Sequence, residues 1–373
     1  HRCAGLRVPL LEDGQVAGQR AAGVGVGDGL GEVVAGYGAA VVAREVQAHA
    51  GGEIEAGRGH RLAGEQSVQV IPEEPEIERL GYRPHVAARN LRLSKRLSID
   101  MVIIDEAPHY LADPFTTQIV AGLSNRLNME GYALQVQGMS AEVFRSSPTV
   151  RNISTDAICL LLSGPEATRR DIVTTLLALG QPVVLFQDRI RSPAPDLCII
   201  RQADRDGGRM LTRELLRGGA KRLLMLVPST IWPAIEERVA GVKDVVRKAG
   251  MGSRLRIVPC GSADFRDTQA ALGQEIAEGG VPDAILAGND QMGIAAMKLV
   301  AARGLAVPGD VAITGFNAFE FWQYTEPVLT TIRSAAYEMG ALGGEVLLER
   351  LTAGRFERRE IVFPVELQRG GST

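Results

Sequence analysis

The chain has 373 residues, of which 45% are hydrophobic and 23% charged, and its formal net charge is −3. That is enough apolar mass for roughly two or three lobes of about 100 to 150 residues each, and it excludes disorder throughout. Nearly balanced charge and only 5% aromatic residues give no global signal for nucleic acid, a membrane surface or an acidic ligand, so any basic surface has to be local.

Cys3, Cys159, Cys198 and Cys260 are far apart, with no CxxC pair and no histidine at ligand spacing. This argues against a zinc site and against a disulfide framework, and no metal is expected. No window approaches 18 consecutive apolar residues, and no apolar stretch follows a basic start, so neither a membrane span nor a secretion signal is expected and the expected compartment is the cytoplasm. The first residue is His rather than Met and need not be a natural start.

Residues 1–75 form a segment of their own. The first 72 residues hold 15 Gly and a single Ser, Ser67, with no Lys, Asn, Thr, Phe or Trp. So few large apolar groups cannot offset chain entropy, and no well-packed core is expected there. The stretch from Gly23 to Gly31 resembles a nucleotide loop only superficially. Its glycines strictly alternate, whereas a dinucleotide fingerprint needs them at the first, third and sixth positions between a strand and a helix.

From about residue 98, short β-rich apolar runs alternate with longer segments of helical period, which is the pattern of parallel sheets covered by helices. The expected strands are 98–104, 132–136, 156–162, 183–186, 222–227, 255–258, 284–287, 311–314 and 330–332. The expected helices are 114–130, 166–179, 207–217, 235–249, 267–278, 291–303 and 335–351, and a last extended segment runs over 360–367. A helix and a strand left over after the second lobe imply that the chain crosses back, with a ligand cleft between the lobes at the strand C-termini.

The segment Leu80-Gly-Tyr-Arg-Pro-His-Val-Ala-Ala-Arg-Asn-Leu-Arg-Leu-Ser94 closely resembles the hinge of lactose-repressor (LacI/GalR) family transcription regulators. Pro84 opens a short helix where its missing N–H costs nothing, and Arg83, Arg89, Arg92, Lys95 and Arg96 make it basic. Matching motifs continue to the C-terminus: Asp113-Pro-Phe115, Pro182 to Phe186, Gly207-Gly208, Glu237-Arg238-Val-Ala-Gly241, Gly288-Asn-Asp290, Val307 to Val311, Gly315-Phe-Asn317 and Pro327 to Ile332.

The resemblance implies two Rossmann-like lobes of the periplasmic-binding-protein type with interleaved crossovers, preceded by a hinge helix and an atypical, disordered N-terminal segment. Its implied limits are a hinge over 76–97, an N-terminal lobe over 98–201 with 333–355, and a C-terminal lobe over 202–332 with 356–373. It makes Tyr82, Arg83, Arg89, Leu91 and Arg92 candidate DNA contacts, with Leu91 as a wedge into a minor-groove base step. An ordinary basic amphipathic linker is the alternative.

Two motifs depart from the family. Its Gly-Phe-Asp is Gly315-Phe316-Asn317 here, and its Val-Asp-Asn before the paired glycines is Gln202-Ala203-Asp204, so lobe-junction hydrogen bonds must differ. The larger departure is the missing helix-turn-helix head. Residues 1–79 lack the family's recognition pattern and have almost no side chains able to read base edges, and Pro72 and Pro75 interrupt the approach to the hinge. Translation of a GC-rich region in a wrong frame would give such a composition, and a genuine replacement of the head is the alternative.

For the effector, the resemblance places Phe115, Arg238, Phe265, Asn289 and Asp290 in the cleft, joined by Gln187 and Asp188 at the end of the strand 183–186. Planar groups suit a sugar ring, and a charged fork suits hydroxyls or a carboxylate. Each has a plainer reading: Arg238 on a solvated helix face, Phe265 in the core, Asn289-Asp290 as a helix N-cap. His109 is a further loop candidate, and the aromatic group Phe316, Phe319, Phe321, Trp322 and Tyr324 would pack the lobe junction or line a lip of the cleft.

No nucleophile elbow, phosphate loop or HExxH motif is present, so no catalytic residue, no enzyme activity and no cofactor are expected. The expected protein is a homodimeric, ligand-responsive regulator, a repressor on family grounds, with operator DNA and a small sugar or sugar acid as partners and no membrane. A sugar-binding protein without DNA-binding activity, either a headless core or a transporter component, is the alternative.

Overall fold

The computed structural model describes residues 96–106, 110–147, 153–190, 194–230 and 232–373. The candidate hinge contacts Tyr82, Arg83, Arg89, Leu91 and Arg92, the segment 1–75 and His109 lie outside the described residues.

The first lobe begins with β1 (Ser98–Ile104), α1 (Pro114–Asn128), β2 (Ala133–Met139) and α2 (Ala141–Ser146). It continues through β3 (Ala157–Leu162), α3 (Glu166–Leu177), β4 (Val183–Phe186) and β5 (Leu197–Gln202). The second lobe follows with α4 (Asp204–Arg217), β6 (Leu223–Val227), α5 (Pro233–Lys248), β7 (Leu255–Pro259) and α6 (Phe265–Gly279), then β8 (Ala284–Ala287), α7 (Asp290–Ala302) and β9 (Ala312–Thr314). The chain ends with β10 (Thr331–Arg333), α8 (Ala336–Ala353), β11 (Glu360–Phe363) and β12 (Glu366–Gln368).

The first sheet has the strand order β11-β5-β4-β3-β1-β2, and every pairing in it is parallel. The second is the parallel sheet β7-β6-β8-β9. Strands such as Ala157–Leu162 and Val183–Phe186 are buried on both faces because helices cover both sides, which is why they read as unbroken apolar runs rather than alternating ones. Separate apolar cores accordingly flank each sheet, one on either face.

Close helix packing depends on glycine. A Cβ on Gly241 of α5 would overlap the carbonyl oxygen of Arg205 on α4, and one on Gly208 of α4 would overlap the carbonyl oxygen of Arg238. These two helices therefore cross with backbone against backbone, just behind the lobe junction.

The chain passes between the lobes three times: from β5 to α4, from β10 to α8, and from β11 to β12. The expected extended segment 360–367 is thus two strands of different sheets. Glu360–Phe363 pairs with β5, so part of the segment expected in the second lobe completes the first, and only Glu366–Gln368 joins β10, antiparallel. Pro364, which has no N–H for a ladder, separates the two. The Leu197–Gln202 strand and the helix Ala141–Ser146 had no counterpart in the sequence reading.

Candidate functional site

A cavity of about 590 Å³ lies between the lobes, within the size range of small-molecule sites. The N-termini of four helices face it. Asp113 caps α1 by accepting hydrogen bonds from the Thr116 N–H at 3.0 Å and the Thr116 hydroxyl at 2.9 Å. Trp232 precedes α5, Asp264 caps α6 by accepting from the Asp267 N–H, and Asn289 caps α7 by accepting from the Met292 N–H at 2.9 Å. Strands that end at the cleft and helices that begin there put these side chains on one wall-to-wall lining.

Of the seven candidate effector residues, Phe115, Gln187, Arg238, Phe265 and Asn289 line this cavity, whereas Asp188 and Asp290 do not. Asp188 is fully buried and binds Arg169 Nε at 2.8 Å, an ion pair inside the first lobe. Asp290 is likewise buried beneath the lining, where it accepts the Thr331 hydroxyl at 2.5 Å. Burial pushes its carboxyl up to about 6, against the opposing pull of Thr331 and the N–H groups of Ala318 and Phe319. Asn289 is both a helix cap and a lining residue, so its two readings coexist. Phe265 is nearly half exposed and faces the cavity rather than a core.

Arg238 is buried instead of lying on a solvated helix face. Its Nε donates to Asp204 at 2.8 Å, and its two terminal nitrogens donate to the Gly288 carbonyl at 2.6 Å and to Asn317 Oδ1 at 3.4 Å. The guanidinium lies 3.6 Å from the centroid of the Phe316 ring, a cation–π contact in a desolvated place.

Asp204 collects further donors, Gln187 Nε2 and Gln202 Nε2, both at 3.1 Å. Gln187 Oε1 accepts from the Gln202 N–H at 2.9 Å, and Gln202 Oε1 accepts from the Ser334 hydroxyl at 2.8 Å. Burial raises the Asp204 carboxyl, and Arg238 is the main force holding it down. This network sits where two of the crossovers run, and its members include both motif positions that depart from the family, Gln202-Ala203-Asp204 and Asn317.

Asn317 is the lining residue that sequence reasoning had singled out only as a departure. Its φ is +119°, and both backbone groups are tied to the returning chain, its N–H to the Ile332 carbonyl and its carbonyl to the Ser334 N–H. Gln187 and Ala263 also line the cavity with positive φ, at 57° and 64°. Three non-glycine residues held in this sparsely populated region at one cavity are the kind of local strain that surrounding structure sustains at binding sites.

Phe321, from the aromatic group expected at the lobe junction or a lip of the cleft, lines the cavity, and Trp232 adds aromatic surface that the sequence analysis did not single out. Trp232 belongs to the second lobe yet packs against the first lobe's core, as does Phe319, so the aromatic group after Gly315 divides between the lobe junction and a lip of the cavity. Outside the lining, Arg189 of the first lobe pairs with Glu237 of α5, and buried Arg169 lies 4.0 Å from Glu236.

Among the described residues no group of three or more His, Cys, Asp or Glu could hold a metal ion, and no helix is long and apolar enough to cross a membrane. The three described cysteines, Cys159, Cys198 and Cys260, are buried thiols.

Residues 212–373 match the model of the periplasmic binding protein-like domain. The chain is 26% identical to the HTH-type transcriptional regulator CelR of Thermobifida fusca over 294 residues, which covers 78% of this chain and 85% of the relative. It is 24% identical to the ribose operon repressor of Escherichia coli (strain K12) over 303 residues, 80% of this chain and 89% of the relative. In three dimensions it resembles the lac repressor dimer bound to operator and the anti-inducer ONPF, with a TM-score of 0.69, 22% identity, and coverage of 80% of this chain and 88% of that one. That last likeness is one of fold.

Proposed function

We propose that the chain is, from about residue 77 onward, a member of the lactose-repressor (LacI/GalR) family and a sugar-responsive transcription repressor whose effector occupies the cavity between the lobes. It binds operator DNA as a homodimer in the cytoplasm, and it performs no chemistry on its ligand. The single observation that carries the reading is the cavity itself: both lobes supply its lining, and the polar network at its inner end is tied to the segments by which the chain crosses between them.

Effector bound there touches both lobes and so has different contacts in different lobe orientations. That differential affinity is what lets a ligand shift a population of states. That shift is the proposed link to DNA, for which Tyr82, Arg83, Arg89, Leu91 and Arg92 are the proposed contacts. Phe115, Gln187, Arg238, Phe265, Asn289 and Asn317 are the proposed effector contacts.

The test is selection of DNA from a random duplex library with the full chain, followed by release with a panel of sugars. Recovery of a palindromic site that a sugar releases supports the reading. Sugar binding without DNA retention establishes instead a sugar-binding protein that lacks DNA-binding activity.

A further inference from the structure

We propose that the cavity selects an uncharged saccharide of more than one ring and rejects sugar acids and sugar phosphates, an inference that rests on reading the cavity as a sugar site. The first support is the charge inventory. Among the described residues that line the cavity, Arg238 is the one cation, while Asp105, Asp113 and Asp264 are carboxylates.

Arg238 has no uncompensated charge to offer. Each of its three nitrogens already donates to the protein, and its charge is balanced by buried Asp204. A remaining N–H can reach a hydroxyl. An effector carboxylate drawn to it would compete with Asp204, and leaving either anion unpaired in a buried place is expensive.

The second support comes from the helix ends. Four helix N-termini facing one cavity would ordinarily favour an anion. At three of the ends the chain supplies its own cap: the carboxylates of Asp113 and Asp264 cap α1 and α6, and the Asn289 amide caps α7. The fourth helix, α5, has no side-chain cap and begins with Pro233, which has no N–H. At α1 and α6 an anionic ligand would meet carboxylates where it needs free N–H groups.

The third support is aromatic surface. Phe115 comes from the first lobe, Trp232 and Phe265 from the second, and Phe321 from the segment between β9 and β10. A single pyranose has two faces to stack, and four aromatic side chains spread around about 590 Å³ exceed what one ring can cover.

The experiment is isothermal titration of the full chain with matched pairs that differ by one charge: cellobiose and cellobiouronic acid, glucose and glucuronic acid, glucose and glucose 6-phosphate, with lactose and maltose as further neutral disaccharides. The expected result is a neutral disaccharide that binds, a charged counterpart weaker by about 100-fold, and a weaker monosaccharide. Equal or tighter binding of an acid or phosphate overturns the charge selection and leaves the sugar site standing. Tighter binding of glucose than of any disaccharide overturns the two-ring part. Binding of a nucleobase, tried in parallel, with no saccharide bound overturns the underlying reading and this inference with it.

Asp264→Asn supplies an independent arm, because Asn retains the helix cap while removing one carboxylate. It is expected to narrow the gap between neutral and acidic partners about threefold. A gap that stays the same overturns the role given to the lining carboxylates.

Discussion

The buried and the solvent-contacting regions of the lobe junction, its inner and outer parts, are made of opposite materials. At the inner end, beside the crossovers, Gln187, Gln202, Asp204, Arg238 and Asn317 satisfy one another in a buried polar network. In the outer, solvent-contacting part, the ion pair of Arg189 with Glu237 joins the lobes through a half-exposed arginine and a less exposed glutamate. Buried, fully satisfied networks fix one arrangement because breaking any member strands its partner, whereas solvated pairs can be exchanged for water at little cost. The difference suits a lobe junction with one fixed set of contacts and one exchangeable set.

The sharpest way to break that contrast is Arg238→Ala. It would leave Asp204 buried without its main counter-charge, and the expected loss is about 3 to 5 kcal/mol of stability by denaturant unfolding, with effector response abolished. A loss below about 1 kcal/mol would mean that the inner end is as replaceable as the outer one.

Asp290 sharpens the comparison through pH. Its carboxyl is raised in the folded chain to about 6 from an ordinary value of 3.8, so the fold favours the protonated form. The associated stabilisation is fully present below about pH 4 and is lost as pH rises through 6, a change of about 3 kcal/mol at most. Unfolding free energies measured from pH 4 to 7 should fall over this window in the parent chain relative to Asp290→Asn. Parallel curves would show that the carboxyl is not desolvated as its burial implies.

Gly241→Ala tests whether the backbone contact behind Arg238 holds the inner end rigid. The new methyl group would meet the Arg205 carbonyl oxygen, and separating α4 from α5 should cost about 1 to 3 kcal/mol and weaken effector binding through Arg238. Unchanged stability would mean that these helices already have slack.

Much of this architecture was legible in the residues. Unbroken apolar runs gave the buried strands, and Asp113-Pro114 marked a helix start, because those features act through local chemistry. The site was legible as far as its residues depend on position in a motif, as with Phe115, Arg238 and Asn289. What escaped was decided by tertiary packing. Asp290 directly follows Asn289, yet the first turn of the helix points it beneath the lining, and nothing in the sequence distinguishes the two directions. Asp188 carries the same chemistry as a sugar-binding carboxylate, but Arg169, nineteen positions away, claims it. Trp232 reaches the cavity only because α5 begins there. The split of 360–367 between two sheets depends on which strands stand nearby, and Pro364 marks the break without naming the partners.

The smallest expected effect is at the solvent-contacting pair. Arg189 and Glu237 are both in contact with solvent, so their pair should contribute only about 0.2 to 1 kcal/mol, and Glu237→Gln should leave the unfolding midpoint nearly unchanged. Its effect should appear in the balance between lobe orientations instead, since the pair exists only where the lobes approach. Losing about 0.5 kcal/mol from the closed form shifts an orientation equilibrium roughly twofold and weakens effector binding by a similar factor. Small-angle scattering and effector titration on the same sample would measure both. If effector affinity fell tenfold or more while the orientation stayed fixed, the pair would be acting on the ligand directly, and the outer part of the lobe junction would be as demanding as the inner one.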